Sequence, residues 1–459
     1  MHRKIIVLMG VLFLIYGTHK YYDQGARQTP ALSNLQCRLW SYARSHYMPL
    51  RAVGGELRII LDPCVLKDIS KEDLLLLLEY SKVWKSDPEF RKLLRFAWTP
   101  QRILHTLSMR FSEYSAADDE SVVIEISPPL LDACVRHGVD LNRYPAFSYL
   151  CLTDANIQHF MRYRRKLPPL LHVNDLDSRG ALFAKFGHDS EFLSFISQLP
   201  NLESVSFSHE DHGDYGKPCI DRQYISSLAQ VLKHYPKLRA LDLSANNLKT
   251  ADMVSLMPTL RSLPLLKALD ISYAFLDDGC LKILAQNLPQ LTYLRLWAYP
   301  LGAKGLEILT QFPNLRKLNL NGMKHNQQDL NVLGQLKNIT HITMSYDRAK
   351  TRSQPPLIFP PMPQLISLSL SMEEDAPVFR SMPKLKRFSM SGSLGRQHIK
   401  SLAQCPRLRT LDLSYSTLDD EVLTDLPLLP HVTSVRLDKM DSQPSSQEIM
   451  SLDRNLPQM

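Results

Sequence analysis

The sequence predicts an α/β solenoid, a stack of short units that each contribute one strand and one helix. Three observations carry that expectation. Leucine supplies 78 of the 459 residues. From about residue 200 an apolar frame recurs along the chain at nearly constant spacing. Proline occupies one fixed place in that frame. A composition of 44% hydrophobic and 22% charged residues excludes a disordered or collagen-like chain. Length alone suggests three globular domains, but repeats take precedence over length as a guide to organisation.

The frame is apolar at positions 0, +3 and +5, with a further apolar residue near +10. Its first positions are Leu202, Leu238, Leu266, Leu291, Leu315, Ile339, Leu365, Leu385, Leu408 and Val432. The spacings are 36, 28, 25, 24, 24, 26, 20, 23 and 24 residues. Pro stands two residues ahead of every first position except that of Ile339, where Lys337 replaces it. Alternation over 0 to +6 predicts a strand whose +2, +4 and +6 side chains face out. The second half of each unit carries a helical stripe, as in Leu281, Leu284 and Leu288. The proline stops that helix and turns the chain toward the next strand. Earlier units are expected at Phe147 (after Pro145) and Leu170 (after Pro168), with Ser121 to Ile126 as one strand more. About 12 units over residues 121–440 result.

Leu238-Arg-Ala-Leu241-Asp-Leu243-Ser-Ala-Asn246-Asn-Leu248 matches LxxLxLxxNxL at every defined position. The chain therefore resembles the leucine-rich repeat superfamily over residues 145–440, and its 24–28-residue helical units are most similar to the ribonuclease-inhibitor-like branch. That resemblance implies an arc or horseshoe with a parallel β concave face and a helical convex face, binding proteins on the concave side and rarely catalysing a reaction. Flanking clusters of cysteine, usual in secreted animal members, have no counterpart among the seven Cys here. Cys280 and Cys405 fall in helical halves and read as small core residues.

Ahead of the repeats, His2-Arg3-Lys4 precedes an uncharged stretch from Ile5 to Tyr16. A basic start before an apolar run predicts an export signal or uncleaved anchor over residues 1–24, contacting the membrane through residues 5–22. A buried start to the following domain is the alternative. In a eukaryotic secretory setting Asn338-Ile339-Thr340 would be a glycosylation sequon. Residues 25–120 read as a small α/β cap. Leu57 to Leu61 is its expected strand, Ser70 the cap of a helix through Glu79, and Thr99-Pro100 the start of another. Residues 61–90 also resemble the F-box, through Pro63, Leu66, Ile69, Leu74, Leu75 and Trp84. That implies an alternative function as substrate receptor of a ubiquitin ligase in the cytoplasm. Residues 441–459 form a C-terminal cap or tail.

The outward strand positions are mostly small and polar. Asp242, Asp270, Tyr273, Tyr293, Arg295, Trp297 and Tyr299 break that pattern and are expected to form one exposed partner-binding patch. Asp242 and Asp270 would be like-charged neighbours, unfavourable in the free state unless Arg295 or a partner's cation neutralises them. The long Leu202 unit carries His209, Asp211, His212, Asp214 and Cys219, metal-binding residue types at a spacing that matches no known ligand pattern; a polar loop is expected. Arg162 to Lys166 reads as a solvated basic face. No GxSxG, HExxH, P-loop or GxGxxG motif occurs, so the expectation is no enzyme, no cofactor, no metal and no small-molecule substrate. The net charge of +8 is spread along the chain, and no nucleic-acid partner is expected. A protein ligand remains, bound by a membrane-anchored or secreted chain.

Overall fold

The computed structural model describes residues 51–53, 56–59, positions within 66–78 and, with short gaps, 122–436. The expected export signal, the F-box-like Trp84, the helix at Thr99, the loop 209–221 and the C-terminal tail lie outside the described residues. The chain divides into two compact units, Met1–Ser206 and Phe207–Met459.

In the first unit, β1 (Arg51–Val53) and β2 (Glu56–Ile59) pair antiparallel, and β2 pairs in parallel with β3 (Val122–Ile124). The strand expected at Ser121 to Ile126 thus exists, but its described pairing is with the cap strand β2. Helix α1 (Pro128–His137) follows. Arg136 Nη2 and His137 Nε2, at its C-terminal end, reach the carbonyls of Leu66 and Ile69 at 3.0 and 2.9 Å. Ser70 starts the predicted cap helix, its carbonyl accepting from Leu74 N at 3.0 Å. Then come β4 (Tyr149–Leu152), α2 (Ile157–Tyr163), β5 (Asp175–Ser178), α3 (Ser190–Ser197) and β6 (Ser204–Ser206). Leu150, Leu176 and Val205 stand opposite one another in parallel register. This corrects the unit expected at Leu170. Its +3 residue is Leu176, so position 0 is Val173, which is buried while Leu170 is only half-buried.

The second unit is an α/β leucine-rich repeat solenoid. Its elements are α4 (Arg222–Leu232), β7 (Ala240–Asp242), α5 (Thr250–Arg261), β8 (Ala268–Asp270), α6 (Asp278–Asn287), β9 (Tyr293–Arg295) and α7 (Ala303–Leu309). They continue with β10 (Lys317–Met323), α8 (Gln327–Leu333), β11 (His341–Tyr346), β12 (Ile358–Phe359), β13 (Ser367–Asp375) and β14 (Val378–Phe379). The last are β15 (Arg387–Leu394), α9 (Arg396–Ala403), β16 (Thr410–Asp412), β17 (Ser416–Leu418) and β18 (Ser434–Arg436). Strands β7, β8, β9, β10, β11, β13, β15, β16 and β18 follow one another in a parallel sheet, and β17 pairs β15. Their registers align the predicted frame at +3: Leu241, Leu269, Leu294, Leu318, Ile342, Leu368, Phe388, Leu411 and Val435 are successive partners, and shifts occur only later in the strands, after Leu320 and after Ser371.

The proline series has a local cause. The N–H of position 0 donates to the carbonyl three residues back, as in Leu238→Tyr235 (3.0 Å), Leu266→Leu263 (3.2 Å) and Leu408→Cys405 (3.1 Å). Pro therefore occupies the second position of a β-turn, where its fixed φ is already correct. The residue that opens each turn is apolar and buried, from Tyr235 through Leu288 to Met382, and adds one more core layer per unit.

The helical face is interrupted where the spacing falls to 20 residues. Strand β13 runs on to Asp375, leaving too few residues for a helix before Leu385, and the short strands β12 and β14 pair instead. Aromatic rings fill the core there: Phe379 lies 6.3 Å from Phe359 and 5.1 Å from Phe388, the latter edge-on.

Candidate interaction surface

Each short strand ends at +4, and the chain must turn there before its helix begins. Asp or Asn at +4 makes that turn. Asp242 Oδ1 accepts from Ser244 N at 2.9 Å and Asp270 Oδ1 from Ser272 N at 2.9 Å, at the ends of β7 and β8; Asn319 Oδ1 makes the same bond to Asn321 N at 3.1 Å within the longer β10. A side-chain oxygen that accepts two residues ahead is an Asx turn. It leads in two units to a left-handed residue three positions later, Ala245 at φ 58° and Tyr273 at φ 55°. At +8, Asn246 is fully buried and donates to the carbonyls of Phe207, Leu243 and Ser244 at 2.8, 3.0 and 3.2 Å. Ser416 does the same for the Leu408 unit, donating to Met390 O at 2.8 Å.

The structure brings Asp242, Asp270 and Arg295 together as strand partners in consecutive positions. Arg295 Nη1 lies 3.4 Å from Asp270 Oδ2, and both side chains are only 2–3% exposed. Ser272 Oγ donates to Asp270 Oδ1 at 2.6 Å. Burial pushes the Asp270 carboxyl up to about 6; Arg295 and the two Ser272 hydrogen bonds oppose that, and the Asp242 charge adds to it.

These positions correct the expectation of an exposed patch. Asp242, Asp270, Tyr293 and Arg295 are all buried, at 1, 1, 1 and 3% exposure, and Tyr273 is half-buried. The cause is the bonding just described: Asx turns and an ion pair hold the polar side chains down on the strand ends. Trp297 and Tyr299 lie outside the described residues. The outward face is more open further along, where Lys317, His341, Thr343, Ser369, Arg387 and Asp412 are half-buried.

The described thiols are poor nucleophiles. Cys134 and Cys280 are buried with pKa values pushed up to about 12, and burial raises Cys405 too. Among the described residues no group of His, Cys, Asp and Glu is placed to hold a metal ion, and no helix is long and apolar enough to cross a membrane.

No family model and no curated protein matches the chain. Solved structures do. A chain of the TLR13–ssRNA13 complex is 15% identical, with 73% of this chain and 54% of that one covered and a TM-score of 0.40. A chain of the mouse RP105/MD-1 complex is 17% identical, with 74% and 63% covered and a TM-score of 0.35. A chain of the Toll–Spätzle complex of Drosophila is 14% identical, with 70% and 40% covered and a TM-score of 0.34. The chain thus spans less than two thirds of the length of each. The strand register, rather than these matches, carries the fold.

Proposed function

We propose that this protein is a non-enzymatic protein-interaction module, exported or membrane-anchored through its first residues, whose partner docks on the outward side of the parallel sheet. The observation that carries this reading is the register of the second unit. Nine parallel strands hold their +2 and +4 side chains in two continuous rows, a preorganised surface that costs little ordering when a partner binds. In this reading the buried Asp242, Asp270, Tyr293 and Arg295 set the floor of the site, and Tyr273, Trp297 and Tyr299 supply contact. The helical second halves of the units favour the ribonuclease-inhibitor-like branch of the repeat.

The test is partner exchange with folded variants. A partner captured and identified with the full chain should bind the Tyr273→Ala/Trp297→Ala double variant at least tenfold more weakly, at an unchanged melting temperature. Undiminished affinity would move the site elsewhere. Loss of surface association on deleting residues 1–22 would support the anchor, and retention would refute it.

A further inference from the structure

The charges of the second unit are sorted by strand position. Three rows lead into the strands: the residue before position 0, the residue after it, and position +2. Across all nine repeats these rows contain no Asp or Glu. They do contain Lys267, Arg316, Lys317, Lys386, Arg387 and Arg409 among others. Lys386 and Arg409 are exposed and the other four half-buried. Acids first occur at the opposite strand ends, with Asp242, Asp270 and Asp412 in a +4 row that also holds Arg295 and Arg436, and with Asp277 and Asp278 where α6 begins.

The backbone fixes this basic edge. The carbonyl at +1 accepts two N–H groups of the next strand from Arg239 through Lys386; Thr292 O takes those of Arg316 and Lys317, both at 2.9 Å. Lys386 O takes those of Arg409 and Thr410 at 2.9 and 3.0 Å. Guanidiniums are held along the edge as well: Arg409 Nη1 donates to Leu408 O at 3.1 Å and His431 O at 3.2 Å. The field is felt at His341, between Lys317 and Arg387 in the +2 row. Burial first, then those two cations, lower its pKa to about 4.

From the strand of Arg316 to that of Arg409 is four steps of about 4.8 Å, roughly 19 Å. An extended segment of about six residues covers that distance at ~3.3 Å per residue. Ser367 and Gln364 lie between these cations, and Thr340 Oγ1, which donates to Arg316 O at 3.1 Å, keeps a lone pair for a peptide N–H. The one Phe, Tyr or Trp in these rows, Tyr293, is 1% exposed and offers no face for a base to stack on, which leaves only the imidazoles of His341 and His431. We propose that this edge is a docking strip for an extended acidic segment of a partner protein. The inference rests on the protein-interaction reading and names a second surface and its chemistry.

The probe is a fluorescein-labelled twelve-residue polyglutamate peptide, titrated with the full chain by fluorescence anisotropy at low salt. Wild type should bind it, and Arg316→Glu/Lys386→Glu/Arg409→Glu should weaken binding at least tenfold at an unchanged melting temperature. Arg316→Gln/Lys386→Gln/Arg409→Gln covers the case in which the reversal variant does not fold. Lys282→Glu/Lys304→Glu/Lys400→Glu, on exposed helix positions, should bind as wild type does. No peptide binding, an equal loss in both sets, or displacement of the peptide by twelve-residue oligo(dT) at lower concentration would overturn the proposal. Capture of the partner lost in Tyr273→Ala/Trp297→Ala but retained in the edge variants would sink the strip alone and leave the broader reading intact.

Discussion

Replacing Arg295 with Met tests the electrostatics of the buried strand-end cluster. Arg295 and Asp270 lie 3.4 Å apart. At an effective dielectric of ~20 that separation corresponds to about 5 kcal/mol of attraction, set against the cost of desolvating both groups. Removing one partner of a buried pair costs about 3–5 kcal/mol, because the other charge is stranded. Asp270 has an escape, since it can take up a proton. Its folded pKa is raised to about 6, so between the usual carboxylate range and that value the folded state binds more protons than the unfolded one. Stability therefore falls as pH rises through that window, and losing Arg295 extends the window upward. At pH 8 Arg295→Met should cost about 3 kcal/mol, seen as a melting temperature lower by roughly 6–12 °C. At pH 5 Asp270 is already mostly protonated, and the loss should shrink to about 1 kcal/mol or less for the lost packing of the side chain. Adding Asp270→Asn should abolish the difference between the two pH values. Thermal denaturation by circular dichroism reads all of this. Equal losses at pH 5 and pH 8, or a pH dependence that survives Asp270→Asn, would refute the reasoning.

His341→Gln should flatten the acid limb of stability. The folded pKa is lowered to about 4, so stability carried by neutral His341 is lost as pH falls from about 6.5 toward 4, and a melting curve series over that range checks it. Gly334→Ala places a Cβ 2.8 Å from Cβ of the rigid Pro360 ring, and should destabilise by about 1–3 kcal/mol in urea denaturation; a gain in stability would mean that the ring yields. Leu294→Ala, at a fully buried centre of the sheet, should cost about 2–5 kcal/mol by the same measurement. Cys280 and Cys405 should resist thiol reagents at pH 8 until the chain is denatured, as peptide-mapped labelling would show; rapid native labelling would contradict their burial.

The repeat was legible because one unit cannot bury its own apolar face. Leucines at 0, +3 and +5 are forced into register by stacking, and the strand partners Leu241, Leu269 and Leu294 fall where the frame puts them. The Leu170 unit failed for a related reason. Its apolar residues fit two frames three residues apart, Pro168 favoured the wrong one, and the burial of Val173 and Leu176 decided between them. The candidate site was less legible. A period-2 pattern says which face a side chain leaves from, but not whether local bonds then hold it down. Asp242 and Asp270 stand on the outward face and are nonetheless buried, because an Asx turn and an ion pair fold them onto the strand ends. Asp followed two residues later by Ser, present in both units, was the available signal for that turn.

Charge shows how much depends on the coordinate used for counting. By segment the chain looks evenly mixed, 54 basic residues against 46 acidic, because most repeats contribute both signs. Stacking converts position within the repeat into position across the sheet. A lysine at 267 and an arginine at 316 are 49 residues apart in sequence, yet both belong to one row, two strands apart and thus separated by about 10 Å. The +4 row beyond them is mixed, with Asp242, Asp270 and Asp412 beside Arg295 and Arg436. A residue preference that is weak in any one unit is summed over nine strands into an edge of one sign, and screening over about 8–10 Å in salt does not average it away. Like charges so aligned repel one another in the free protein. A partner that brings carboxylates to them removes that repulsion, so the same sorting that burdens the isolated chain strengthens the proposed complex.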